Sequence, residues 1–183
     1  MKVSLSKFIL FLFTFFSLNI HSQSKIYDFT NESDLSGWMI VNDDVMGGVS
    51  RSNLKIDNNG NGFFYGQVST AYNGGFASIR CSFKRKYIKQ YKNIKLRIKG
   101  DKKKYQLRIK TNRDDYYSYI LPFKTSGEWE TVSIPLKDMY PTFRGSKLNM
   151  DNFNDNYFEQ ISFLIANNRN EYFRLLIDSI SLE

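Results

Sequence analysis

Apolar and polar residues alternate with a two-residue period through most of the readable chain. Ile94, Leu96 and Ile98 alternate with Lys95, Arg97 and Lys99, and Tyr105, Leu107 and Ile109 alternate with Gln106, Arg108 and Lys110. Successive side chains of a strand point to opposite faces, so each run is expected to bury one face and wet the other. Gly100-Asp101 lies between the two runs, and the pair is expected to form a hairpin. Phe173, Leu175 and Ile177 repeat the pattern near the end of the chain. Ile161-Ser162-Phe163-Leu164-Ile165 is more continuously apolar, as a strand covered on both faces would be.

Turn chemistry divides these segments at short intervals. Asn58-Asn59-Gly60-Asn61-Gly62 contains two Asn-Gly steps, a strong hairpin signal. Asn73-Gly74-Gly75, Asn112-Arg113-Asp114-Asp115, Ser126-Gly127 and Asn167-Asn168-Arg169-Asn170 mark further reversals. Helical spacing occurs only at Tyr87, Ile88 and Tyr91, over a short stretch. Many short strands with little helix predict an all-β fold, an antiparallel β-sandwich or jelly roll. No repeat or linker divides the chain, and one domain is expected over residues 23–183.

The first 22 residues are read separately. Lys2 and Lys7 precede the apolar run Phe8 to Leu18, which has signal-peptide length and is too short to span a bilayer. Cleavage is expected after Ser22, with Ser24 as the alternative. The chain is therefore expected to be exported, to a bacterial periplasm, a cell surface or the medium. Cys81 is the only cysteine, so no intrachain disulfide forms and no lipid-anchoring cysteine follows the cleavage point. Removing residues 1–22 leaves 24 basic and 18 acidic residues, a balance of +6. That charge favours anionic partners; nucleic acid is not expected outside the cytoplasm.

Candidate chemistry is sparse. The single histidine, His21, falls in the segment expected to be removed, which excludes His-based triads and histidine metal sites from the mature chain. Cys81 shares a strand face with Ile79 and Phe83 and reads as a buried, inert thiol. Asp43 and Asp44 are adjacent, and in a strand they would point to opposite faces, a poor acid/base pair. Catalysis is not expected.

The stretch Val41-Asn42-Asp43-Asp44-Val45-Met46-Gly47-Gly48-Val49-Ser50 is the most unusual in the chain. Two readings fit it. Its carboxylates bind a cation, a hydroxyl-rich ligand or a basic peptide at a sheet rim, or they cap turn amides while Gly47-Gly48 permits a bulge. Tyr140-Pro141-Thr142-Phe143-Arg144-Gly145 places a ring beside an arginine in one loop, suited to clamping a carboxylate or stacking on a planar ligand. Tyr72-Asn73-Gly74-Gly75-Phe76 is a second aromatic loop. Lys95, Arg97 and Lys99 with Arg108 and Lys110 are expected to form one positive patch facing an anionic envelope surface. Asp28 and Asp178, near the two termini, are a candidate pair for a structural calcium ion, although calcium takes six or more oxygen ligands.

Taken in order, several motifs resemble the complex I intermediate-associated protein 30 family. They are Trp38 with the Val41–Ser50 stretch, Gly74-Gly75-Phe76-Ala77-Ser78-Ile79-Arg80, and Leu96-Arg97-Ile98-Lys99-Gly100-Asp101. Trp129 with Val132-Ser133-Ile134-Pro135, Pro141-Thr142-Phe143-Arg144-Gly145 and Leu175-Leu176-Ile177-Asp178-Ser179-Ile180 continue the series. The resemblance implies a galactose-binding-like sandwich, similar to carbohydrate-binding modules. Mitochondrial members of that family are assembly chaperones for NADH:ubiquinone oxidoreductase, and plant relatives join such a domain to a dehydrogenase-like one. No catalytic residues carry over. The resemblance makes Asp43, Asp44, Met46, Gly47, Gly48, Ser50, Arg80 and Arg144 candidate ligand-binding or fold-defining residues, joined by Phe143 from its loop. The expectation is an exported, non-catalytic binding domain acting on a protein partner or glycan. The alternatives are an assembly factor for respiratory complex I and a carbohydrate-active enzyme.

Overall fold

A computed structural model of the chain describes residues 24–183, so the expected signal segment lies outside the described residues. Thirteen strands follow one another along these residues. They are β1 (Ser24–Asp28), β2 (Trp38–Asn42), β3 (Arg51–Ile56), β4 (Gly62–Val68), β5 (Ala77–Tyr87), β6 (Asn93–Lys99) and β7 (Lys104–Lys110). β8 (Ser118–Lys124), β9 (Trp129–Pro135), β10 (Tyr140–Phe143), β11 (Ser146–Lys147), β12 (Tyr157–Ile165) and β13 (Glu171–Leu182) complete the set. The six-stranded sheet runs β3-β4-β13-β6-β9 with β1 also on β13, and the seven-stranded sheet runs β11-β10-β8-β7-β12-β5-β2. All pairings are antiparallel. The antiparallel sandwich is the fold that the alternating pattern predicts.

The inward faces meet in one apolar layer. Ile94, Leu96 and Ile98 come from β6, Leu175 and Ile177 from β13, Tyr105 and Leu107 from β7, and Ile161, Phe163 and Ile165 from β12, all fully buried. Each such side chain is worth about 1.5–3 kcal/mol relative to exposure, so the two-residue period of the sequence is an energetic instruction. β12 is covered on both faces, as its continuous apolar run predicts: outward-facing Ser162 and Leu164 are also buried.

The expected β6–β7 hairpin does not form. β6 pairs with β13 and β9, whereas β7 pairs with β12 and β8, so Gly100–Lys103 carries the chain from one sheet to the other. Both strands have a strong apolar face, and placing them on opposite layers lets both point into the same core. One consequence corrects the single positive patch. Lys95, Arg97 and Lys99 lie on the outer face of the six-stranded sheet, and Arg108 and Lys110 on the outer face of the other. The helical spacing at Tyr87, Ile88 and Tyr91 yields no helix; Tyr87 ends β5, and Ile88 is buried in the following turn.

The Asn-Gly segment does make its hairpin. β3 and β4 pair directly across it, and Gly60 takes a φ of 85°. Asp57 holds the turn by accepting hydrogen bonds from the backbone amides of Asn59 (2.9 Å) and Asn61 (2.8 Å).

Candidate functional site

The acidic-glycine stretch begins where β2 ends. Asp43–Met46 forms a single 3₁₀ turn rather than the strand that the pattern suggests, and Gly47 stops it with a φ of 89°. Asp43 is only 1% exposed. Its Oδ1 accepts the Ser50 amide at 2.9 Å, and its Oδ2 accepts the Ser50 hydroxyl at 2.5 Å and the amides of Gly75 at 2.6 Å and Phe76 at 3.2 Å. Ser50 Oγ in turn accepts the Ser69 amide at 2.9 Å. One buried carboxylate therefore ties the β2–β3 connection to the β4–β5 connection.

The glycines make room for it. A Cβ on Gly48 would lie 2.4 Å from the Asp43 carboxylate carbon, and one on Gly74 would lie 2.5 Å from Oδ2. The close backbone approach for which Gly47-Gly48 is suited is thus made by the chain's own aspartate. Burial raises the Asp43 pKa, but the hydrogen bonds from Ser50, Gly75 and Phe76 outweigh it, and the carboxyl stays below its ordinary value. As to the two readings of this stretch, Asp43, Gly48 and Ser50 are engaged in capping and closing turns.

What the knot presents outward is different chemistry. Val45 is 70% exposed, Met46 57% and Tyr72, in the adjoining loop, 75%. Asp44 is exposed beside them and accepts the Val45 amide on Oδ1 at 3.1 Å. An apolar, adaptable tip thus stands on a rigid polar base.

Phe143 and Arg144 lie elsewhere. They turn the β10–β11 hairpin at the opposite edge of the seven-stranded sheet from β2, with Arg144 at a φ of 49°. Five strand spacings, roughly 24 Å, separate β10 from β2, so Asp44 and Arg144 do not share a ligand-sized site. Arg144 lies over the Phe143 ring at 5.3 Å, and Phe143 meets Tyr116 edge to face at 5.2 Å. Both rings are exposed.

Arg80 lies between the two edges, on β5 and on the outer face of the sheet. The register places it opposite Ser162 on β12, which is opposite Arg108 on β7, which is opposite Ile120 on β8 and then Tyr140 on β10. The neighbouring row is Ser82, Gln160 and Lys110. Sequence reading separated Arg80 from Arg108 and Lys110 because no local pattern predicts which strands become neighbours.

Cys81 is buried opposite Trp38, and burial pushes its thiol up to about 11, as an inert thiol requires. Asp28 and Asp178 do lie on paired strands, with Asp28 opposite Ser179. Their side chains are committed, Asp28 to the Lys25 ammonium and Asp178 to the Ser179 hydroxyl. Among the described residues, no group of three or more His, Cys, Asp or Glu side chains is placed to hold a metal ion. The two carboxylates by themselves supply fewer than the six or more oxygens that calcium takes.

A family model described as Complex I intermediate-associated protein 30 matches residues 27–177. A curated relative, the mitochondrial Complex I intermediate-associated protein 30 of Mus musculus, is 24% identical over 142 residues, covering 66% of this chain and 43% of that protein. The chain therefore spans less than half the length of that relative. Among solved structures, a Family 11 Carbohydrate-Binding Module from Clostridium thermocellum, in complex with a β-1,3-1,4-mixed-linked tetrasaccharide, aligns with a TM-score of 0.63 at 16% identity. That alignment covers 87% of this chain and 94% of the module. An exo-β-agarase aligns with a TM-score of 0.58 at 10% identity, over 87% of this chain and 25% of the enzyme. At such identities the likeness is one of fold. The relative named as mitochondrial overturns the exported location expected from the N-terminal segment.

Proposed function

Because the chain belongs to the complex I intermediate-associated protein 30 family, we propose that it is a non-catalytic binding domain that docks on a protein partner during assembly of a larger complex. The observation that carries this reading is the exposed tip of Val45, Met46 and Tyr72, fixed by the buried Asp43 carboxylate. A loop backbone already tied down by hydrogen bonds loses little further freedom on docking, and an exposed methionine adapts its shape to a partner. The non-catalytic reading is supported by the same site. Asp43 is consumed by four hydrogen bonds, and Asp44 does not converge with it as an acid/base pair. The relevant complex is a respiratory NADH:ubiquinone oxidoreductase intermediate. The test is complementation of a deletion strain, read as mature complex on a native gel. Wild type restores the complex and Val45→Glu/Met46→Glu does not; normal assembly in the deletion strain overturns the reading.

A second reading is a glycan ligand, favoured by the exposed Tyr116 and Phe143 rings at the β10 edge beside Arg144. Exposed rings offer flat apolar faces on which a sugar ring can lie, and the arginine would hold its hydroxyls. Glycan-array binding that Phe143→Ala abolishes supports it, and the absence of any bound glycan removes it.

A further inference from the structure

The two basic faces of the sandwich differ in how their charge is met. On the six-stranded sheet, Lys95 pairs with Glu183 at 2.9 Å, Lys99 with Glu128 at 3.3 Å, and Arg97 lies over the Trp129 ring at 5.5 Å. On the seven-stranded sheet, Arg80, Arg108 and Lys110 have no carboxylate partner among the described residues. Arg108 donates from Nε and Nη2 to Gln106 Oε1 at 3.1 and 2.7 Å, which leaves Nη1 free. Lys110 reaches the Asp115 carbonyl at 2.5 Å. Arg80 makes no hydrogen bond within the described residues.

These cations are neither far apart nor fully in water. Arg80 and Arg108 flank Ser162, which is 5% exposed, on strands about 10 Å apart. Burial, and then the charge of Arg80, pulls the Arg108 pKa down to about 10. Burial and Arg80 also lower that of Lys110, against the opposing pull of Asp115 and Asp114. Like charges held together in a partly desolvated place destabilise the free protein, and an anion removes that repulsion when it binds.

We infer that Arg80, Arg108 and Lys110, the two arginines lying on either side of the buried Ser162, bind the phosphoryl group of a ligand on the outer face of the seven-stranded sheet. A phosphomonoester suits the site better than a lone carboxylate. It carries up to two negative charges against three cations, and it has three terminal oxygens for two guanidinium forks and an ammonium. The inference stands apart from the assembly role, which uses the Val45–Met46 tip.

Titration of the protein with glucose 6-phosphate, glucose and glucuronate, followed by NMR, tests the site. Vesicles with and without phosphatidate form a second arm. Binding of glucose 6-phosphate assigns a soluble phosphate ester, and binding of phosphatidate vesicles alone assigns a lipid headgroup. In either case Arg80→Gln/Arg108→Gln should weaken binding at least about tenfold, and added salt should weaken it in the wild type. Arg108→Lys, which keeps the charge and loses the fork, should fall between and guards against misfolding of the double variant. The double variant should also melt no lower than wild type in phosphate-free buffer. Binding in neither arm, glucuronate binding as tightly as the phosphate ester, or unchanged affinity in the double variant overturns the inference.

Discussion

Asp43 Oδ2 accepts the backbone amide of Gly75 at 2.6 Å across thirty-two residues of sequence. That bond joins a carboxylate at the end of β2 to the start of β5, and with the Ser50 and Phe76 donors it defines a buried knot. Asp43→Ala strands three backbone amides and a hydroxyl, so it is expected to cost about 3 kcal/mol in urea unfolding. Asp44→Ala, on the exposed side, should leave the unfolding midpoint where it is. A loss below about 1 kcal/mol for Asp43→Ala would show that the knot is dispensable.

The same carboxylate links folding to pH. Its pKa in the folded protein is depressed, so it adds stability above the unfolded aspartate value of about 3.9, and that stability is lost as pH falls through the folded value. Asp57, lowered against burial by the donors of Asn61 and Asn59, acts in the same direction. Wild type should therefore weaken steeply below about pH 4, and Asp43→Asn less steeply. Parallel stability curves for the two would count against the assignment.

Cys81 is buried and its pKa is pushed up to about 11 by burial. At mildly alkaline pH the native protein should resist iodoacetamide, and labelling should appear only with unfolding. Rapid modification of the folded chain would contradict this burial.

Calcium provides a further check. With Asp28 held by Lys25 and Asp178 by Ser179, the melting temperature should be the same in calcium and in chelator. A rise of several degrees on adding calcium would restore a site at these strands.

The class of fold is legible in the sequence because burial of one residue in two is a local property; Ile94, Leu96 and Ile98 announce it without help from the rest of the chain. Pairing is not local. β6 and β7 look like a hairpin because both alternate and a Gly-Asp step separates them, but their partners are fixed by which layer each strand completes. The candidate site divides in the same way. Asp43, Gly48 and Ser50 stand out as oddities in a β-like chain, yet their purpose depends on Gly74 and Gly75, beyond the reach of any periodicity. Arg80 and Arg108 reveal nothing separately; they meet only because β12 lies between β5 and β7.

β13 occupies the middle of the six-stranded sheet, between β4 and β6, and takes β1 along its second half. It is also the last described strand to be synthesised. Until residues 171–182 leave the ribosome, the β3–β4 hairpin and the β6–β9 pair have nothing to join them, and each exposes an unpaired edge. Contacts spanning so much sequence form slowly, and open edges during that interval invite pairing with other chains. The six-stranded sheet therefore cannot close until β13 has been made and is free to pair. Its period of greatest exposure to aggregation ends when its last strand slides into the centre of the sheet.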